Sequence, residues 1–173
     1  GNFHEGNARA YTDFLEFTAC KSVVNDVARV FDFIEKPYLP VRFKELIVSP
    51  NNMRSKLTAL INQEIRNHQH GLPAHILCKL NHITDEQIVR QLYEAAAAGV
   101  KVDLLVRGNC SLVSNQPHLG GNMRINAIID RYLEHSRILI FANGADIDHP
   151  EIVEVDGSHH DYLVFFGSAE WMP

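Results

Sequence analysis

The stretch 75–106 constrains the fold more than any other part of the chain. HILCKL (75–80) and VDLLV (102–106) are short apolar runs of strand length. Between them Thr84-Asp85-Glu86-Gln87 reads as a capping box, with Thr84 accepting from a first-turn amide and Gln87 reaching back. The helix so opened, 85–98, turns Ile88, Val89, Leu92, Tyr93 and Ala96 to one side, and Gly99 closes it in left-handed geometry. Strand, helix and strand in this order predict a parallel pair joined by a right-handed crossover. Upstream, LIVS (46–49) reads as a further strand. Ser49-Pro50 follows as cap and first-turn proline, then a helix with Met53, Leu57, Leu60, Ile61 and Ile65 on one stripe, ended by Gly71-Leu72-Pro73. The predicted class is α/β, a β-α-β-α-β sheet flanked by helices.

Ligands of such sheets bind beyond the carboxyl ends of the strands. Arg107-Gly108-Asn109, Lys79-Leu80-Asn81 and Ser49-Pro50-Asn51 are all predicted there. DRYLEHSRILIF (130–141) adds His135 at the mouth of a run, 138–141, that reads as a buried strand closed by Ala142-Asn143-Gly144. Asp130, Arg131, Glu134 and Arg137 flank it. Imidazole titrates near neutrality, so His135 is suited to acid, base or nucleophilic work on an anion. On spacing alone, a partly exposed His closing a turn is the commoner reading.

Residues 1–7 are turn-like, and AYTDFLEFT (10–18) is aromatic and threonine-rich, hence extended. Alternation places Tyr11 and Asp13 on one face and Ala10, Thr12 and Phe14 on the other, more buried one. The polar face serves either a site or solvent on an edge strand. Lys21–Glu35 has Val23, Val24, Val27, Val30, Phe31 and Ile34 at helical spacing, and Pro37 and Pro40 stop it. The boundary expected near 41–45 gives two domains, 1–45 and 46–173. The loop 111–121 is expected to be mobile. Residues 143–158 carry many carboxylates without calcium-loop spacing and read as a solvated hairpin arm. His159-His160 point to opposite faces of a strand, and His68 and His70 do not share a helix face, so no metal site is predicted.

With 173 residues and 46% hydrophobic content the chain can bury a core, and no apolar run approaches the roughly 20 residues of a membrane span. Cys20, Cys78 and Cys110 lack metal-type spacing and read as reduced thiols of a cytosolic protein. A net charge of −5 argues against a generic nucleic-acid binder. Clustered arginines still suit an anionic ligand.

Read together, GNFHEGNARAYTDF (1–14), FIEKPYLPV, IVSPNNMR, GLPAHILCKLNHITD, LLVRGNCSL (104–112), DRYLEHSRILIF and GSAEWM closely resemble polyphosphate kinases of the family-1 type. The catalytic half of that family resembles the phospholipase D superfamily. The resemblance implies a phospholipase D-like sheet preceded by the tail of a neighbouring domain, with the second domain incomplete at its C-terminus. Because residues 1–7 begin inside what resembles a motif, the chain is expected to be an excised piece. His135-Ser136-Arg137 resembles a His-x-Lys with Arg for Lys, and Gly167-Ser168-Ala169-Glu170 a Gly-Ser-x-Asn with Glu last. Both departures count against a phospholipase D-like phosphodiesterase or nuclease. Gly1-Asn2 matches the end of the first-half signature, which puts the phosphorylated histidine upstream of this chain.

By resemblance the parent transfers the ATP γ-phosphoryl reversibly onto polyphosphate through a phosphohistidine. Tyr11, Asp13, Arg107 and His135 fall at nucleotide- or phosphate-contacting positions, with His135 catalytic. Magnesium belongs to the parent, its ligands lying outside this chain. A tetrameric, cytoplasmic parent with peripheral membrane association is implied, and the excised piece is expected to be inactive alone. A non-catalytic polyanion-binding or oligomer-forming role is the other expectation for the piece.

Overall fold

The computed structural model describes residues 5–6, 9, 11–12, 14–129, 133–147, 154–155, 158–159 and 161–171. Asp13, residues 130–132, His149 and His160 lie outside the described residues, as do most of the predicted N-terminal turn and of the acidic arm. The chain divides into two compact units, Phe14–Leu57, and Gly1–Asp13 with Thr58–Pro173.

In the unit 14–57, helix α1 spans Lys21–Glu35, the predicted bounds. Its apolar stripe is largely open, with Val24, Val27, Phe31 and Ile34 exposed, and Phe14, predicted on a buried face, is exposed too. Asp26, at the margin of that stripe beside Val23 and Val30, is buried and organises the turn that follows. Its carboxylate accepts from the backbone N–H of Lys44 (2.8 Å), Glu45 (2.7 Å) and Leu46 (3.0 Å) and from Arg29 Nη1 (2.9 Å). Burial raises the Asp26 pKa, but these donors outweigh it and hold the carboxyl below its ordinary value.

The strand predicted at 46–49 does not form, and the reason is local. The Leu46 N–H is taken by Asp26, the Val48 N–H by Asn52 Oδ1 (2.7 Å), and the Leu46 carbonyl by Asn52 Nδ2 (3.0 Å). Side chains have satisfied the groups a sheet would need. Ser49-Pro50-Asn51 is accordingly a turn rather than a strand end, and helix α2 begins later, at Met53, running to Gln69.

The larger unit is built on a five-stranded sheet in the order β4-β3-β2-β6-β9. Here β2 is His75–Leu80, β3 Lys101–Val106, β4 Met123–Asn126, β6 Arg137–Phe141 and β9 Leu163–Gly167. A two-residue strand β1 (Tyr11–Thr12) pairs in parallel with β5 (Leu133–Glu134), and β7 (Glu154–Val155) pairs with β8 (Ser158–His159) as an antiparallel arm. The predicted crossover is present: β2 and β3 run parallel, joined by α3 (Glu86–Ala97). Strand β4, which is too polar to stand out in the sequence, continues the parallel set.

Strands β6 and β9 are antiparallel to their neighbours. The link from β4 to β6 has too few residues for a crossover helix, so β6 must start at the edge where β4 ends.

One sheet face carries Ile76, Cys78, Leu80, Val102, Leu104, Val106, Leu139 and Phe141, all buried, together with Ile88, Leu92, Ala95 and Ala96 of α3. Val89 and Tyr93, predicted inward, are only half-buried. The cap of α3 is Asp85, not Thr84, its carboxylate accepting from Ile88 N at 3.0 Å. The Thr84 N–H is engaged by the carbonyl of Trp171 (3.0 Å), which keeps Thr84 in the extended chain. Gly99 ends the helix at φ +104, as predicted. The loop 111–121 holds a 3-10 turn, Pro117–Leu119, and is anchored by buried Leu112 and Leu119. Among the described residues no helix is long and apolar enough to cross a membrane.

Candidate functional site

The carboxyl ends of β2, β3 and β9 and the amino end of β6 meet at one edge of the sheet. Beyond the last paired residues the backbone ladder continues, with Arg107 N donating to Leu80 O (3.1 Å) and Gly108 N to Asn81 O (2.8 Å). A Cβ at Gly108 would stand 2.4 Å from the His82 ring, and would displace a ring that accepts from Asn109 N (2.9 Å). These bonds fix Asn81 beside Arg107.

The Asn81 side chain is fully buried. Its amide oxygen faces three donors, Arg137 Nη2 (3.0 Å), His135 Nδ1 (3.0 Å) and Arg107 Nη2 (3.2 Å). That orientation is assigned from the network, because the reverse would point an NH₂ at two guanidinium groups, which can only donate. Arg107 and His135, predicted to serve one ligand, therefore converge on one atom.

Lys79, two residues before Asn81, is nearly as buried. Its ammonium donates to the carbonyls of Glu134 (2.8 Å) and Ser136 (2.6 Å), the residues on either side of His135, with the Glu134 carboxylate 3.6 Å away. Burial lowers the Lys79 pKa, and the Glu134 carboxylate works against that. The same carboxylate accepts from Ser136 N (2.8 Å) and Ser136 Oγ, so the turn carrying His135 is held from both sides.

Arg137 forms an ion pair with Glu170 and donates to the carbonyl of His135. Burial and the neighbouring Arg107 both lower its pKa. Glu170 is held in reach because Trp171, buried, receives the backbone N–H groups of Thr84 and Asp85 (3.0 and 3.2 Å) on its carbonyl. The two departures from the phospholipase D-like pattern, Arg137 and Glu170, thus satisfy one another. Two buried atoms of this pair, Arg137 Nε and Glu170 Oε2, have no hydrogen-bond partner among the described residues.

Of the predicted site residues, Arg107 and His135 come together at this edge. Tyr11 lies on β1 opposite Leu133, two residues before His135, its side chain outside what the structure describes. Asp13 lies outside the described residues. Ser49-Pro50-Asn51 belongs to the other unit and ends no strand. Sequence reasoning puts Lys79-Leu80-Asn81 on this rim, but misses that Lys79 and Asn81 act as its supporting pair. Period-two alternation from the strand end places them on one face, and that signal was available.

Comparison with known proteins gives two adjoining family matches, polyphosphate kinase C-terminal domain 2 over residues 46–173 and polyphosphate kinase C-terminal domain 1 over residues 1–40. The chain belongs to the polyphosphate kinase family. It is 46% identical over 172 residues to the polyphosphate kinase of Escherichia coli K12 and 45% identical to that of Yersinia pestis, in each case over 99% of this chain. It spans only 23% of the length of those curated relatives. The crystal structure of polyphosphate kinase from Porphyromonas gingivalis superposes with a TM-score of 0.82 at 39% identity, covering 99% of this chain and 26% of that one. The mixed α/β architecture is therefore that of a polyphosphate kinase, with its phospholipase D-like fold.

Proposed function

We propose that residues 1–173 form part of the nucleotide- and phosphate-binding site of an enzyme that moves the γ-phosphoryl of ATP reversibly onto inorganic polyphosphate through a phosphohistidine. The observation that carries this reading is the meeting of Arg107 and His135 on Asn81 at the ligand-binding edge of the sheet. Phosphoryl transfer asks chiefly for positioning and stabilisation of charge. Arg107 offers a planar fork to phosphate oxygens. His135, when protonated, neutralises charge developing on the departing ADP or gives its proton to the leaving oxygen. Tyr11 and Asp13 enter the same site by family likeness.

Magnesium is part of the proposal for the parent, its ligands taken to lie outside this chain, and the described residues do not fit a site for it. Among the described residues no group of three or more His, Cys, Asp and Glu is placed to hold a metal. No step is therefore routed through a metal here. The nucleophilic histidine is taken to lie upstream, so the chain alone is proposed to bind ATP or polyphosphate at most weakly and not to turn over. A tetrameric parent, and a cytoplasmic site with peripheral membrane association, follow from family likeness alone. A phosphodiesterase reading is disfavoured because the Arg137 charge is matched by Glu170.

The test is made in the full-length parent. Arg107→Ala and His135→Ala are each expected to lower ATP-dependent polyphosphate synthesis by ~10²–10³, the usual loss when a transition-state charge partner is removed. Near-normal synthesis by either variant removes that residue from the site.

A further inference from the structure

We propose that Asn81 is the positioning residue of this site, a neutral acceptor that aims Arg107 and His135 at one anion without consuming their charge. The inference rests on the function proposed above. Its geometry is a buried amide oxygen within 3.0–3.2 Å of an imidazole and two guanidinium groups.

Three consequences follow from that geometry. First, donation of the His135 Nδ1–H to Asn81 sets the tautomer, so Nε2 is the nitrogen whose protonation changes during reaction. Second, the ring and the Arg107 fork are indexed to the same atom, and the backbone bonds Arg107 N to Leu80 O and Gly108 N to Asn81 O stop the two strand ends from sliding. Third, the acceptor carries no charge. Arg137 is neutralised by Glu170, and Lys79 is spent on two carbonyls beside Glu134. Arg107 makes no ion pair with a carboxylate among the described residues.

An aspartate in place of Asn81 would fill the same space and accept the same bonds. It would also pair with Arg107 and Arg137 and favour the imidazolium, competing directly with an anionic ligand. At this position Asn and Asp are opposites rather than conservative replacements.

The experiment compares Asn81→Asp, Asn81→Leu and His135→Ala in the full-length parent, measuring kcat and KM for ATP across pH. Asn81→Asp is expected to raise KM by at least about tenfold, the penalty of opposing like charges. It should also shift the limb of the pH profile lost in His135→Ala toward alkaline pH by about one unit. Asn81→Leu is expected to lower kcat by ~10–10², the cost of a misplaced reacting group, and to blunt that limb. If Asn81→Leu does not fold, Asn81→Asp still decides, since a carboxylate retains every acceptor bond. Wild-type KM and an unmoved pH profile in Asn81→Asp, with His135→Ala inactive, would overturn the inference and leave Asn81 a packing residue. Normal synthesis by His135→Ala would instead sink the proposed function, and this inference with it.

Discussion

Glu64, on the inner side of α2, is 1% exposed, yet it carries a carboxyl. It accepts from His75 N (3.0 Å) at the start of β2 and from Asn143 N (2.7 Å) just past the end of β6. It thus staples the far ends of the two strands whose near ends bear Asn81 and His135. Burial raises its pKa from 4.5 to about 7, the two N–H donors offsetting only part of the cost. Because the folded value lies above the unfolded one, the folded chain holds this proton more tightly. Its contribution to stability is complete below pH 4.5 and is lost as pH rises toward 7. At 1.36 kcal/mol per pH unit that loss is about 3 kcal/mol. Glu64→Gln cannot titrate, so the difference in unfolding free energy between wild type and variant should shrink by about 3 kcal/mol between pH 4.5 and pH 7.5. Urea unfolding at closely spaced pH values measures it. Parallel stability curves over that window would refute the reasoning and show that the two backbone donors fully compensate burial.

Two further outcomes concern the supports of the site. Lys79→Met keeps the apolar stem but leaves the carbonyls of Glu134 and Ser136 without their donor. It should destabilise the chain by about 2 kcal/mol, read by urea unfolding, and lower kcat in the parent although Arg107 and His135 are untouched. Glu170→Met strands Arg137 as a buried unpaired charge and should cost about 3–5 kcal/mol, whereas the double change Arg137→Met with Glu170→Met should recover most of it; a double-mutant cycle checks this.

Much of the sheet was legible because its signals are local. HILCKL and VDLLV announce strands, the segment between them is helical, and Gly99 marks its end. The errors arose where side chains intervened in the backbone's bonding. LIVS has a strand's composition, but Asp26, 20 residues before Leu46, and Asn52, just downstream, claim its polar groups. Thr84 has the right spacing for a cap, but Trp171, nearly ninety residues on, draws its N–H into an extended bridge. Strand β4 carries no clear signal because half its residues are exposed. The nearness of Arg107 to His135 could be anticipated from residue type and from family likeness. The atom on which they meet required knowing which strand lies between them.

That last point follows from direction. In the order β4-β3-β2-β6-β9 the central strand β2 has a parallel neighbour that leaves on one side and an antiparallel neighbour that returns on the other. Had β6 run parallel to β2, its leading His135 would lie at the opposite edge, beside Glu64 and far from Arg107. Reversal brings the start of β6 to the finish of β3, and the residue flanked by both is the first one past the end of β2. It lies beyond the carboxyl ends of β2 and β3, where open α/β sheets accommodate ligands. A short polar side chain with an acceptor can bridge both flanks there, while an apolar one would leave buried guanidinium donors unmet. The topology therefore asks for an acceptor at position 81, and the anionic character of the proposed ligand asks that it be neutral. Asparagine meets both demands.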